Sequence, residues 1–270
     1  MKLSIQAGAS LRGVDLPEAL ALLYDRPFKG VEVGFANIYH FGGNVEEFKR
    51  RLSRYKLELS GVYWSAPFHI PEERDRIMRD FDRLRSDLQR LGSRNVVIGP
   101  PPRFSLFSKD RERYVRQMAE TLSELVERAG ELELGVHNHW GTIIQEKDEI
   151  DLLMKTADRR VKLSTDIAHL SASGINVYEA LEQYKDRVNY IHMKDDTEPF
   201  KKGKDWGELM VRFKVPGKGK LDMRRVLSIL KGAGFNGWVT VEYEDRESDP
   251  VEDLKFFVDY FNRELRQFFE

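Results

Sequence analysis

The sequence contains no cysteine, and this absence removes several kinds of site at once. Disulfide frameworks, thiolate metal sites and cysteine nucleophiles are all excluded. Any metal that the protein binds must therefore be held by histidine, carboxylate or water, which suit hard or borderline divalent ions.

The chain also has no large excess of positive or negative charge, and it has no long apolar run. Its 44 basic and 45 acidic residues give a net charge of −1, whereas nucleic-acid-binding proteins usually have a basic surplus. No apolar stretch approaches the roughly 20 residues that span a bilayer, and MKLSIQAGAS lacks the apolar core of a signal peptide. We therefore expect a cytoplasmic protein that binds neither nucleic acid nor membranes; the oligomeric state, a homo-oligomer included, stays open.

Short β-type runs alternate with amphipathic helical patterns along the 270 residues. Apolar residues in the helical stretches recur every three or four positions, as in helices that cover a sheet. Strict alternation predicts parallel strands joined by right-handed crossovers, and eight such units are typical of a closed (β/α)8 TIM barrel. The eight predicted strands are 3–8, 30–35, 57–64, 95–99, 132–139, 161–167, 188–193 and 237–243.

A doubly wound open sheet is the competing architecture. It would normally have a glycine-rich phosphate turn after the first strand, and AGASLRG is a poor match for such a turn. Because there is no linker or low-complexity segment, residues 1–270 are predicted to form one barrel domain. The longest irregular stretch is expected from about Asp195 to Asp222, and loops of that length are usually functional or mobile.

Histidines are confined to the carboxyl ends of predicted strands or to the loops that follow them. In a closed barrel these ends converge on the face where barrel enzymes have their active sites. A single histidine there is most simply an incidental loop residue, but a whole set at one end favours a site. The set is His40, His69, His137, His139, His169 and His192.

Two carboxylates follow the same pattern. Asp166 ends the sixth strand and Glu242 the eighth, in apolar contexts where an unpaired charge would be costly. They neighbour His192 on the seventh strand, and two carboxylates with one imidazole suit Mn²⁺, Co²⁺, Mg²⁺ or Zn²⁺. The alternative is that both carboxylates cap helices or pair with Lys194.

Four basic side chains near this set are candidates for further roles. His137 and His139 are two apart on one strand, so both can face the mouth, one as a ligand and one towards substrate. His169 is better placed to contact substrate than to share the same metal. Lys194 can hold a substrate oxygen or transfer protons, and a surface ion pair is an equal alternative.

Three more residues are predicted to contact substrate. Glu32 alternates with valines on the second strand, so it either points into the mouth or is a buried carboxylate paired with Lys or Arg. Trp64 and Trp140 lie at the ends of the third and fifth strands, where aromatic rings can stack on the apolar face of a sugar. Simple packing is the more common use of such residues.

Nearly the whole chain resembles the xylose isomerase-like TIM barrel superfamily of sugar isomerases, epimerases and lyases. The segments that carry the resemblance are VEVG, HNHWGT, DIAHLSASG, IHMKD, VPGKGKLDM and GWVTVEYE. The Gly-x-Gly-x-Leu-Asp turn combined with a glutamate on the eighth strand is fairly specific for this group. Within it, HNHWGTIIQEKDEIDLLM is most similar to the inosose dehydratase branch.

The resemblance implies that Asp166, His192 and Glu242 bind a metal. In the epimerases of the family a glutamate that ends the fifth strand is the fourth ligand, and His137 stands at that place here. This departure argues against a two-glutamate epimerase and favours the dehydratase branch. A second departure is KDDTEPF, which lacks the arginine that many relatives have after Lys-Asp, so the far end of the substrate is expected to differ.

The predicted function is a metal-dependent lyase of inositol catabolism, with manganese among its candidate metals, that removes water from a small cyclic keto-polyol through an enediolate. Glu242 is expected to be both ligand and base, with His139, His169 and Lys194 as acid, base or orienting groups.

Three other functions compete with this prediction. A metal-dependent isomerase or epimerase of the tagatose-epimerase or hydroxypyruvate-isomerase type is the main alternative, because it shares the first proton abstraction. An endonuclease IV-like hydrolase would need three zinc ions and more ligands. A non-catalytic sugar-binding barrel would need no metal, so metal analysis distinguishes it.

Overall fold

A computed structural model describes residues 1–103 and 109–269. Ten strands are present in these ranges: β1 Lys2–Gln6, β2 Gly30–Gly34, β3 Glu58–Ser65, β4 Asn95–Gly99, β5 Glu133–Val136, β6 Lys162–Asp166, β7 Val188–Met193, β8 Asp195–Asp196, β9 Phe213–Lys214 and β10 Trp238–Val241. Eight of them form a closed barrel in the order β1-β2-β3-β4-β5-β6-β7-β10, and every pairing is parallel. The predicted (β/α)8 architecture is therefore confirmed.

Helices follow the strands and cover the outside of the barrel. They are α1 Ala7–Ser10, α2 Leu16–Leu23, α3 Val45–Arg54, α4 Arg74–Leu91, α5 Arg111–Arg128, α6 Lys147–Thr156, α7 Ile167–Ala172, α8 Val177–Tyr184, α9 Trp206–Arg212, α10 Met223–Gly232 and α11 Pro250–Tyr260. Short 3-10 turns occupy Phe35–Tyr39, Pro71–Glu73 and Arg266–Phe268, and a π turn occupies Phe261–Leu265. No described helix has both the length and the apolar character of a bilayer span.

Short polar side chains fix where the covering helices begin. The Asp15, Asn176 and Asp249 side chains each accept a hydrogen bond from a backbone N–H in the first turn of the next helix. Such caps satisfy donors that have no partner inside the helix. At the other end, α4 stops at Gly92, whose left-handed φ of 76° closes the helix without a side-chain clash.

Alternation along each strand separates an outer apolar layer from the barrel interior. On β7, Ile191 and Met193 join the core beneath the helices, while Tyr190 packs with Val97 and Trp238 in a separate cluster. Because successive strand residues point to opposite sides, His192 shares the inward direction of Tyr190. The interior is thus packed with side chains at its base and becomes polar towards the carboxyl ends of the strands.

Five strands end one to three residues earlier than predicted, and at two of them, β5 and β10, the earlier end affects residues of the site. β5 ends at Val136, because the backbone then turns and the His139 N–H bonds to the Ile144 carbonyl rather than to a neighbouring strand. β10 ends at Val241, so Glu242 is the first residue beyond it, although its N–H still bonds to the Met193 carbonyl. Both departures lie at the mouth, where the chain leaves the barrel.

The segment from Asp195 to Asp222, which was expected to be irregular, contains β8, β9 and α9. Its order depends on two buried carboxylates. Asp195 accepts hydrogen bonds from the backbone N–H groups of Gly217, Gly219 and Leu221 at 2.9–3.0 Å. The neighbouring carboxylate, Asp196, binds the buried Arg212 guanidinium through two nitrogens at 2.8 and 3.0 Å. No periodic apolar pattern signals these contacts, so the sequence alone did not predict them.

The close fit of the Gly219 turn predicts a specific loss of stability. A Cβ atom at this position would lie 2.2 Å from Asp195 Oδ1 and 2.8 Å from the Asp196 nitrogen. We expect Gly219→Ala to lower the free energy of unfolding by about 1–3 kcal/mol, the usual cost of overpacking. Gly232→Ala is the control, since nothing lies within 4 Å of its new Cβ. Equal urea-unfolding midpoints for the two variants would contradict this account of the turn.

Candidate active site

Asp166, His192 and Glu242 meet at the mouth of the barrel. Asp166 pairs with His192 in the β6–β7 register, and Thr240, two residues before Glu242, pairs with His192 in the β10–β7 register. All three side chains are buried, with residue exposures of 0%, 1% and 7%. Adjacent strands therefore bring together the three residues that the sequence singled out, while their role as ligands remains a prediction.

Glu32 lies inside the barrel and contacts the other side of the same imidazole. Its Oε2 is 2.6 Å from His192 Nε2, and the carboxylate is fully buried. The expectation that Glu32 pairs with Lys or Arg is wrong, because its partner is a histidine from a strand far away in sequence, while its contact with substrate stays a prediction. Glu32 fixes the orientation of His192 and leaves Nδ1 facing Glu242 Oε2 at 2.9 Å.

Five buried polar atoms at this point make no hydrogen bond within the described ranges, although His192 Nδ1 and Glu242 Oε2 face each other at 2.9 Å. They are Glu32 Oε1, His137 Nδ1, Asp166 Oδ2, His192 Nδ1 and Glu242 Oε2. Buried polar atoms are nearly always paired, so each exception needs an explanation such as an ion. Donor atoms of His137, Asp166 and His192 lie within 4.8 Å of one another. This set of imidazole nitrogens and carboxylate oxygens suits a divalent metal.

Lys194 is fully buried beside these donors, so the alternative of a surface ion pair is wrong. Its Nζ lies 3.1 Å from Glu242 Oε1, 2.7 Å from Glu244 Oε2 and 3.4 Å from Asp166 Oδ2. The expectation that Lys194 could pair with the carboxylates is thus met, and Asp166 also caps α7 through Oδ1, which accepts from the His169 N–H. Lys194 therefore pairs with Oε1 of Glu242 and leaves Oε2 to the other side chains, whereas each oxygen of Asp166 has a neighbouring cation or N–H group.

Burial and neighbouring charges set the protonation of this cluster. Burial disfavours the ammonium, yet three adjacent carboxylates hold the pKa of Lys194 well above its usual value. Burial likewise opposes ionisation of Glu242, but Lys194 and His192 hold its pKa well below normal. Burial raises the pKa of Asp166 to about 6, against the opposing effect of Lys194. Lys194 and Glu242 are therefore charged near neutral pH.

Three histidines form the opposite wall of the site. The His139 ring lies 3.8 Å from His169 and 5.4 Å from His137, measured between ring centroids. Burial holds the pKa of His137 and His169 well below normal and lowers that of His139 to about 4, so all three are neutral at pH 7. His139 Nδ1 lies 2.8 Å from the Trp140 carbonyl and donates to it, which leaves Nε2 as an acceptor.

The three histidines also offer donors within 4.8 Å of one another, so His137 belongs to both candidate groups. Only His137 of the strand-5 pair joins Asp166 and His192, which favours it over His139 as the fourth ligand. The two remaining histidines lie elsewhere. His40 is exposed beside Phe41, and the His69 ring packs against Tyr114 at the edge of the cleft described next.

A cleft of about 630 Å³ opens beside the histidines. Trp140 lines it as expected, together with Tyr63 and Trp206. The expectation for Trp64 is wrong, because this neighbour of Tyr63 on β3 points outward and its ring stacks on Phe81 of α4 at 5.8 Å. A larger cleft of about 820 Å³ at the amino ends of the strands contains none of the clustered histidines.

Sequence reasoning missed three residues of the site. Glu244 is two positions beyond Glu242, and the same alternation that selected Glu242 could have indicated it. The Asn138 side chain holds Asp166 in place by bonding to both its backbone N–H and its carbonyl. Trp206 is 40% exposed on α9, and no pattern in the sequence places it over His139, where the two rings lie 5.4 Å apart.

The fold and the arrangement of donors define the class of protein. The family described as xylose isomerase-like TIM barrel matches residues 20–260, and the chain belongs to this family. Inosose dehydratase of Clostridium perfringens (strain 13 / Type A) is 30% identical over 244 residues, which cover 83% of this chain and 80% of that protein. The expected resemblance to inosose dehydratase is therefore confirmed.

Two solved structures share the fold. The IOLI protein, solved with a binding zinc atom, has a TM-score of 0.79 at 19% identity, and all of both chains is covered. The probable 3-DHS dehydratase AsbF from Bacillus anthracis has a TM-score of 0.78 at 14% identity, covering 98% of this chain and 100% of that one. At these identities the two structures bear on the fold alone.

The contact between Glu32 and His192 predicts an effect on metal retention. Glu32→Gln keeps the size of the side chain but removes the charge that orients His192, so we expect zinc or manganese affinity to fall by about 10–100-fold. Glu58→Gln on the exposed end of β3 is the matched control. The measurement is metal titration by calorimetry. Unchanged affinity in a folded Glu32→Gln protein would mean that Glu32 does not position a ligand.

Proposed function

We propose that this protein is a metal-dependent dehydratase that removes water from a small cyclic keto-polyol of the inosose type. The observation that carries the proposal is the set of four buried atoms, one from each of His137, Asp166, His192 and Glu242, that could bind a metal and make no hydrogen bond. On this proposal the protein acts in inositol catabolism, as the resemblance to inosose dehydratase suggests.

Two imidazoles and two carboxylates would hold the ion. This donor set suits a borderline ion such as Mn²⁺, Co²⁺ or Zn²⁺ better than Mg²⁺, which prefers oxygen ligands. When bound, such an ion would polarise the substrate keto group and stabilise the negative charge of the enediolate. The remaining steps belong to protein side chains.

A base first takes the proton from the carbon beside the keto group. Glu242 is ionised near neutral pH, because Lys194 and His192 hold its pKa low against the effect of burial. His139 is the second acceptor, since its Nε2 carries a lone pair while Nδ1 is held by the Trp140 carbonyl. The two lie on different walls of the site, so the face of the substrate that carries the proton decides which one acts.

Lys194 is the acid that completes the elimination. As the bond from the next carbon to its hydroxyl breaks, the ammonium donates a proton and the hydroxyl leaves as water. Glu244 Oε2, 2.7 Å from Lys194 Nζ, accepts a hydrogen bond from the ammonium and holds it in place. Glu244 is partly exposed, with 22% of its side chain accessible, and can return a proton from solvent to Lys194.

The alternative reaction, isomerisation or epimerisation, shares only the first of these steps, the removal of a proton beside the keto group. An epimerase must return the proton on the opposite face, which its second carboxylate does. The wall formed by His137, His139 and His169 has no carboxylate, and the one proton acceptor assigned there is the neutral His139, whose pKa burial lowers to about 4. Loss of a β-hydroxyl assisted by Lys194 is therefore the better supported outcome.

The substrate test separates these two reactions. Manganese-loaded protein should convert 2-keto-myo-inositol to a product with the absorbance of a conjugated enone or dione, and should leave a panel of ketoses unchanged. Protein treated with a chelator is the control and should be inactive. Rapid interconversion of ketoses, with no elimination from the inosose, would overturn the dehydratase proposal in favour of the isomerase.

The place of His137 in the ligand set is tested by metal content. We expect His137→Ala to retain less metal after dialysis, because one of four ligands is lost, whereas His137→Glu should retain it through a carboxylate at the same place. His40→Ala is the control, since that histidine is exposed and away from the cluster. Full metal content in His137→Ala, measured by plasma mass spectrometry, would exclude the ligand role and leave His139 as the next candidate.

A further inference from the structure

The cleft beside the histidine cluster is lined mainly by carbon. Its walls include four prolines, Pro67, Pro100, Pro101 and Pro102, and the indoles of Trp140 and Trp206. The four prolines have no backbone N–H to donate. The Thr142 hydroxyl is already engaged, since it donates to the His139 carbonyl at 2.7 Å and accepts from the Ile144 N–H at 3.3 Å.

This cleft adjoins the proposed catalytic groups through two side chains, His139 and Tyr63. His139 lines it and also lies against His169, with ring centroids 3.8 Å apart. Tyr63 lines it as well, and its ring meets that of His137 edge-on at 5.6 Å. A molecule whose keto group lies at the metal ligands would therefore extend into the cleft.

An unsubstituted keto-polyol should bind weakly in such a cleft. It bears a hydroxyl on nearly every carbon, and a hydroxyl that leaves water for a carbon-lined wall loses hydrogen bonds without replacement. Lys194 and Glu244, which can replace those bonds, are not among the described lining residues, and of the three clustered histidines only His139 is. No Lys, Arg, Asp or Glu is among the lining residues that the structure describes, so a charged group is equally unsuited.

We propose that the substrate is a keto-polyol carrying an uncharged apolar group, and that the cleft binds this group; the proposal rests on the dehydratase function proposed above. Trp206 is the residue that determines this specificity. Its indole is 40% exposed, lies 5.4 Å from the His139 ring and meets the Trp140 indole edge-on at 5.3 Å. A flat apolar group would stack here and cover exposed aromatic surface.

Calorimetry with two kinds of ligand tests this proposal. Metal-loaded protein is titrated with 2-keto-myo-inositol and with a set of its mono-O-benzyl ethers. At least one ether should bind about tenfold more tightly than the parent. Trp206→Ala should reduce that ratio to below about threefold. Val211→Ala, on the same helix and also exposed but outside the cleft, is the matched control and should keep the full ratio.

The outcomes separate this inference from the proposed function. If no ether binds more tightly than the parent, the inference is overturned, whether or not the parent is dehydrated. It is overturned as well if the preference persists undiminished in Trp206→Ala. Turnover is measured separately: a clear preference for an ether without elimination from any ligand would remove the dehydratase proposal and keep the binding cleft.

Discussion

The ion pairs of Lys194 are the interaction on which the mouth of the barrel depends. Four carboxylates, Glu32, Asp166, Glu242 and Glu244, gather there, and the first three are buried. Buried like charges are costly unless a cation compensates them. One ammonium contacts three of the four, yet uses only one oxygen of Glu242. The arrangement thus lowers the free-energy cost of burying these carboxylates. It also leaves the second oxygen of Glu242 directed at the other candidate metal ligands.

The same compensation of charge orders the segment after β7. Asp195 and Asp196 are buried next to Lys194 in sequence, and each is satisfied locally, one by backbone N–H groups and the other by Arg212. Because the carboxylates have their own partners, they do not compete for the ammonium. The segment is held against the barrel and carries α9, with Trp206 at its start, to the edge of the cleft.

The barrel was predictable because alternation of strands and helices is a local property, repeated eight times. The meeting of Asp166, His192 and Glu242 was predictable for a related reason, since neighbouring strand ends lie close in any barrel. The partner of Glu32 was not, because it lies 160 positions away along the chain. The prediction that Trp64 faces the mouth was wrong for another reason. Alternation shows that neighbouring residues on a strand point to opposite sides, but it does not show which of them points into the barrel.

The site is divided between two kinds of structure. The donors and Lys194 lie on strands or directly after them, where the hydrogen bonds of the barrel fix the backbone. The cleft is built mostly by connecting segments, among them Pro100–Pro102 and the turn that carries Trp140, with Tyr63 contributed by β3 and Trp206 by α9. Loops tolerate substitution better than the strands they join. Mutations in these loops can therefore change which substrate the cleft binds and leave the groups that transfer protons unchanged. This gives the scaffold a route to new substrates.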